Sequence, residues 1–174
     1  GQRPLYNWLR ENPHRLNLGR LGLLLKRSDG TPGRLEDVTA IDQQLDLWTG
    51  ILRSKFRFEG ESVTVETICH PEMDAVAVLV ESALIARGQV SLEMVFPYGS
   101  PAINASDWSS PARHTTELTG RILRRRLDDT EYRVSLECNE AEPQMASGHV
   151  CRLTPRRGAT RMSLACRFTS GAAA

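Results

Sequence analysis

Asn104, Asp107 and Trp108 fall within one five-residue span of the chain, placing an amide, a carboxylate and an indole close together. That mixture suits a polar ligand with apolar faces: the indole can stack on a sugar ring while the amide and carboxylate take its hydroxyls. Two other uses of the same residues stay open. Trp108 could pack its loop onto the body of the protein while Asn104 and Asp107 satisfy turn backbone, or the loop could lie at a contact between domains. Asn104-Ala105-Ser106 is also a glycosylation sequon, meaningful only in a secretory pathway. His70 is a fourth candidate, because it precedes Pro71 at the end of an extended run, where a side chain can reach a neighbouring site. The alternative is a hydrogen-bonded turn residue, and that reading is favoured. Asn104, Asp107, Trp108 and His70 are therefore carried forward as candidates for ligand binding or a domain interface.

No catalytic set emerges. Glycosidic cleavage, for example, needs a pair of carboxyl groups, one to protonate the leaving oxygen and one to attack or activate water. Glu59, Glu61, Glu81, Glu93, Glu131 and Glu137 mostly occupy the polar phase of alternating runs, where solvated carboxylates are the default. Histidines 14, 70, 114 and 149 are scattered, and there is no G-x-S-x-G and no phosphate-cradling glycine loop. Cys69, Cys138, Cys151 and Cys166 occur singly. Cys69, Cys138 and Cys166 sit in the apolar phase of their runs, which favours buried free thiols over disulfides and both over a metal site. No cofactor is expected. Arg121, Arg124, Arg125 and Arg126, with Arg156 and Arg157, make the C-terminal third locally basic, but Asp128, Asp129 and Glu131 follow at once. A solvated face is expected there, since nucleic-acid binding would want interleaved aromatics.

The elements that must carry these residues read as strands. The 174 residues suit one domain, and a net charge of +1 with 25% charged side chains gives no field directed at nucleic acid or an anionic membrane. No apolar run approaches the ~20 residues that span a bilayer, and GQRPLYNW lacks a signal-peptide core. A soluble chain is expected, with a secreted or periplasmic parent left open. Leu52, Ser54, Phe56 and Phe58 alternate with Arg53, Lys55, Arg57 and Glu59, and a Glu59-Gly60-Glu61 turn leads into Val63, Val65, Thr67 and Cys69. After the Pro71-Glu72-Met73-Asp74 turn, Ala75 to Ser82 is apolar in both phases, predicting a central strand covered on both faces. Leu21 to Leu25, Ile41 to Trp48, Val90 to Tyr98, Arg121 to Leu127, Tyr132 to Cys138, Val150 to Leu153 and Met162 to Phe168 supply further strands. Residues 99–112 and 139–147 read as loop and polar connection. About ten strands, no long helix and a one-turn lead-in predict an all-β antiparallel sandwich, with a polar lead-in at 1–18, the sandwich at 19–168 and a tail or linker at 169–174. Outward Arg and Glu are expected to limit edge-to-edge pairing.

The segment Gln43 to Ser82 also carries a resemblance. The succession of an LDL-x-TG strand, a charged strand, V-x-V-E-T, an HP turn and a valine-rich strand is similar to the N-terminal β super-sandwich domain of six-hairpin glycosidases, such as glycoside hydrolase families 95 and 65. The match begins near His14 to Leu25 and runs weakly to the C-terminus. The resemblance implies a non-catalytic sandwich preceding a catalytic (α/α)6 barrel that this chain lacks. It therefore implies a fragment of a larger enzyme, with that barrel and an oligosaccharide as partners. A free-standing carbohydrate-binding module, or a structural or interaction sandwich, is the alternative.

Overall fold

The computed structural model describes residues 3–11 and 16–171. In chain order the elements are helix α1 (Arg3–Leu9) and strands β1 (Arg20–Leu25), β2 (Val38–Asp46), β3 (Ile51–Phe58), β4 (Glu61–Cys69) and β5 (Ala75–Glu81). A single-turn helix α2 (Ala83–Ala86) and β6 (Val90–Val95) follow. Then come β7 (His114–Thr119), β8 (Ile122–Leu127), β9 (Thr130–Asn139), β10 (Ala141–Ser147), β11 (Val150–Pro155) and β12 (Arg161–Ser170). Asn12, Pro13 and His14 of the lead-in, and residues 172–174 of the tail, lie outside the described residues.

Two antiparallel sheets stack into a sandwich, one of four strands in the order β1-β6-β11-β10 and one of eight in the order β2-β3-β4-β5-β12-β9-β8-β7. The expected all-β antiparallel sandwich with little helix is therefore the fold, with twelve strands among the described residues instead of about ten. Period-two alternation does the sorting. Phe56, Phe58, Val63, Val78, Val80, Met162, Leu164 and Cys166 project from the large sheet into the core, and Val90, Leu92, Met94 and Leu153 meet them from the small one. Burying each such Val, Leu, Phe or Met contributes about 1.5–3 kcal/mol relative to exposure. Among the described residues no helix is long and apolar enough to cross a membrane.

Turn chemistry fixes the register. Glu59 and Gly60 both adopt positive φ, 47° and 81°, so Phe58 pairs with Glu61 across a two-residue hairpin loop whose twist matches its strands. At the next hairpin the Asp46 carboxylate accepts the Trp48 and Thr49 amides at 2.9 and 3.3 Å, ending β2 two residues before the predicted Trp48. Ser82 caps α2 by accepting the Leu84 amide and donating to the Ser62 carbonyl, at 3.2 and 2.8 Å.

Several expectations require correction. Residues 139–147 are not a polar connection but contain β10, paired with β11 along its length. His114–Thr119, unassigned from sequence, is the edge strand β7. The lead-in forms two helical turns instead of one. Strand β5 is central, but only one face is covered: Ala75, Ala77 and Leu79 remain half-exposed on the outer side. They floor two adjoining hollows of about 480 and 490 Å³ that run over β4, β5, β12 and β9. Four strands cannot roof eight, and the outer face has no layer upon it among the described residues.

Candidate functional site

Residues 99–112 cross one end of the sandwich and are tied down by a bridge between Tyr98 and Asp107, whose amides and carbonyls exchange hydrogen bonds of 2.9 and 2.8 Å. The same bridge sets Trp108 on the outside of the loop. Its ring is partly exposed, and the Arg20 guanidinium lies over it at 4.7 Å from the centroid. Asp107 accepts from the Ser109 amide and hydroxyl at 2.8 and 2.6 Å. The hydroxyls of Ser109 and Ser110, in that order, lead the causes that hold its carboxyl down at about 2. Asn104 accepts from Ser106 through both its carbonyls, and Ser106 in turn takes a bond from Asn17 at 3.1 Å. Ala105 between them is buried with φ 51°. Asn104 and Asp107 thus satisfy turn backbone, while one face of Trp108 is occupied by Arg20.

His70 does not join them. Its Nδ1 accepts the amides of Glu72 and Met73, both at 3.1 Å, which closes the β4–β5 turn. No hydrogen bond, ion pair or ring contact links it to Asn104, Asp107 or Trp108. The turn-residue reading of His70 accounts for its contacts, at the rim of the hollow under β5.

Beneath the loop lies a polar cluster that the sequence reading missed. Arg125, expected on a solvated face, is fully buried because it occupies the inward phase of β8 between Leu123 and Leu127. Its Nη1 donates to His114 Nδ1, the Thr115 carbonyl and Thr116 Oγ1 at 2.8, 2.9 and 2.6 Å. Nη2 donates to the Pro97 carbonyl at 2.9 Å, and Nε to the Tyr132 hydroxyl at 3.3 Å. No carboxylate touches it among the described residues. Burial lowers its pKa, yet a guanidinium keeps its charge in proteins.

Two histidines complete the cluster. His114 and His149 stack with centroids 3.6 Å apart. Because His149 Nε2 lies 2.8 Å from the Pro111 carbonyl, which can only accept, the proton sits on Nε2 and Nδ1 accepts from the Thr116 hydroxyl at 2.7 Å. His114 Nδ1, accepting from Arg125, is likewise unprotonated. Burial first, then the neighbouring Arg125 charge and the repulsion that a protonated His149 would exert, lower the His114 pKa to about 4, against a smaller opposing pull from Asp107. At the rim, Arg113 stacks on the Tyr98 ring at 4.1 Å and donates to its hydroxyl at 2.5 Å. That hydroxyl in turn donates to Asp128 at 2.5 Å. The inward phase of Arg125 was readable in the sequence, whereas the pairing of His114 with His149 joins β7 to the distant β10–β11 turn and left no local signal.

Many of the carboxylates are engaged structurally. Glu131 binds Arg124 and Arg126 at 2.8 and 3.0 Å, and these bonds, that from Arg124 first, hold it at about 2. Glu66 pairs with Arg53, Glu61 with Arg87, Glu93 with Arg152 and Glu142 with Arg121 and Arg156. Glu59 anchors the Ser28 amide at 3.0 Å and binds Gln89. All four cysteines are free thiols, but Cys69 is exposed, contrary to its expected burial, because it ends β4 beyond the reach of the small sheet. Cys166 and Cys151 are buried, and desolvation pushes their thiols up to about 12 and about 11.

Fold and site together define a large two-sheet β-sandwich with a loop clamped over a buried arginine-histidine cluster. No family model matches the chain, and no curated protein matches it at a significant level.

Proposed function

We propose that this chain is the non-catalytic N-terminal sandwich domain of a carbohydrate-active glycoside hydrolase, where it supports and shapes the mouth of a sugar site. The catalytic acids of that site would lie on an (α/α)6 barrel of the same parent protein. One observation carries the reading: the segment that bears the resemblance, Gln43 to Ser82, folds as consecutive neighbours β2-β3-β4-β5 and makes half of the large sheet. Two further features agree with it. Glu59, Glu61, Glu81, Glu93 and Glu131 are held by arginine pairs or by a turn amide, and the half-exposed Ala75, Ala77, Ala165 and Ile68 offer a broad apolar surface against which another domain could rest.

The test is the mass of the native gene product, detected with an antibody to this domain. A product larger by a whole domain supports the reading and directs the search for hydrolase activity to the added part. A product of this size alone refutes it. A free-standing carbohydrate-binding module would instead bind oligosaccharides in calorimetry and lose that affinity in Trp108→Ala.

A further inference from the structure

We propose that the chain self-associates through strand β2, pairing antiparallel with β2 of a second copy about a two-fold axis at Gln43. The four sheet edges are β1, β10, β2 and β7. Strand β10 carries Pro143, which removes a donor from its edge. Strand β1 ends under the 26–33 loop, where Gly33 donates to the Leu25 carbonyl at 2.8 Å and Lys26 bridges Pro32. Strand β2 has β3 as its sole backbone neighbour among the described residues; its own register shift falls between Thr39 and Asp42, and from Asp42 to Leu45 the pairing is regular, with Asp42 the one charged residue and no proline.

The apolar surface around this edge is too contiguous for chance exposure. Ile41, Leu45 and Leu52 lie on the inner face of the large sheet beyond the small sheet's cover, and Leu35 is bare beside them in the chain. At the hairpin tip Leu47 and Trp48 are 87% and 97% exposed, yet the turn that presents them is held by the Asp46 carboxylate. A rigidly presented, fully exposed tryptophan is a typical interface anchor.

The sequence of β2 is self-complementary about Gln43. Gln43 and Leu45 face inward with Ser54 and Leu52, while Asp42 and Gln44 face outward with Lys55 and Arg53. With Gln43 on the axis, Ile41 of each copy meets Leu45 of the other on the inner face. Asp42 meets Gln44 on the outer face, so no like charges are opposed. A one-residue slip would set Leu45 against Asp42 and turn the inner set outward. Leu47 and Trp48 then extend past the two-fold toward the Leu35 end of the other copy's strand, adding apolar contact to what would otherwise be a marginal two-strand ribbon.

Sedimentation of the whole chain across about two decades of concentration around 10 µM tests this. The wild type should approach twice the monomer mass. Gln43 is exposed and bonds Ser54 alone, so its variants should fold, as circular dichroism would verify. Gln43→Lys alone and Gln43→Glu alone each set like charges against each other on the axis and should weaken association by about tenfold or more. Mixing the two variants should restore it. Three results overturn the proposal: a wild type that stays monomeric throughout, a dimer indifferent to both single variants, or single variants that dissociate but do not recover on mixing.

Discussion

Replacing Arg125 by methionine separates the two explanations for a fully buried cation. Methionine keeps most of the apolar stem and removes the five-donor head. If burying the charge were simply a burden, relief of its desolvation would leave the variant as stable as the wild type or more so, by up to about 4 kcal/mol. The geometry argues otherwise, because the acceptors stay behind. The Pro97 and Thr115 carbonyls and His114 Nδ1 each lose a donor within 2.9 Å. Tyr132 retains its bond to the Leu18 carbonyl at 2.8 Å, and Thr116 retains His149. Two buried acceptors left unmet, the Pro97 carbonyl and His114 Nδ1, cost about 1–3 kcal/mol each, and the part-buried Thr115 carbonyl adds less. Offset by the relieved desolvation, the net loss is about 2–4 kcal/mol, a large share of the stability of a typical domain. In urea, with a slope of about 2 kcal/mol per molar, the midpoint should fall by about 1–2 M at unchanged slope. Arg126→Met, which removes an exposed partner of Glu131, serves as the control and should move the midpoint little. An Arg125→Met midpoint at or above the wild-type value would refute the reasoning.

Three further outcomes follow from the same structure. The folded-state pKa of His114 is lowered from 6.5 to about 4, so the unfolded chain binds more protons between those values and stability should fall as pH drops from about 6.5 to about 4. Thermal melts across that range should show a loss of about 1–3 kcal/mol that diminishes in His114→Phe; a flat profile in the wild type would refute it. Cys69 should react with a thiol reagent in the native protein, while Cys151 and Cys166 should react only on unfolding, as counted by mass spectrometry. In Gly33→Ala the added Cβ would lie 2.9 Å from the Phe58 ring and 3.0 Å from Leu25 Cβ, so the midpoint should drop, and an unchanged one would show that Phe58 yields freely.

What was legible in the sequence was whatever buries one face against the core. Strands β3, β4, β6, β9 and β12 alternate because Phe56, Val63, Leu92, Val134 and Leu164 all face the same interior. The two missed strands break that rule for physical reasons. Strand β7 fills its inward positions with His114, Thr116 and Leu118, two of which are partners for Arg125 instead of apolar filling. Strand β10 is an edge that carries a proline and a bulge, the features that make an edge unattractive to partners and invisible to pattern. Arg125 itself was misread by residue type, although its phase between Leu123 and Leu127 pointed inward. The candidate loop was found from Trp108 and Asp107, but the histidine pair beneath it joins β7 to the turn between β10 and β11, which no local pattern encodes.

The inequality of the two sheets connects these observations. A four-stranded sheet roofs the middle of an eight-stranded one, so each uncovered region must be polar, filled by other means, or left for a partner. Under the 99–112 loop the gap is filled by Arg125, whose long side chain reaches acceptors on Pro97, Thr115 and Thr116 that no aliphatic residue could satisfy. At the opposite margin of the large sheet the solution differs. Ile41, Leu45 and Leu52 remain apolar and exposed beside the free edge of β2, which carries no proline. Hydrophobic side chains at such a margin would be an aggregation hazard in an isolated molecule. The economical physical resolution is that this margin is covered in the assembled protein, and the pairing about Gln43 covers it with residues the chain already has.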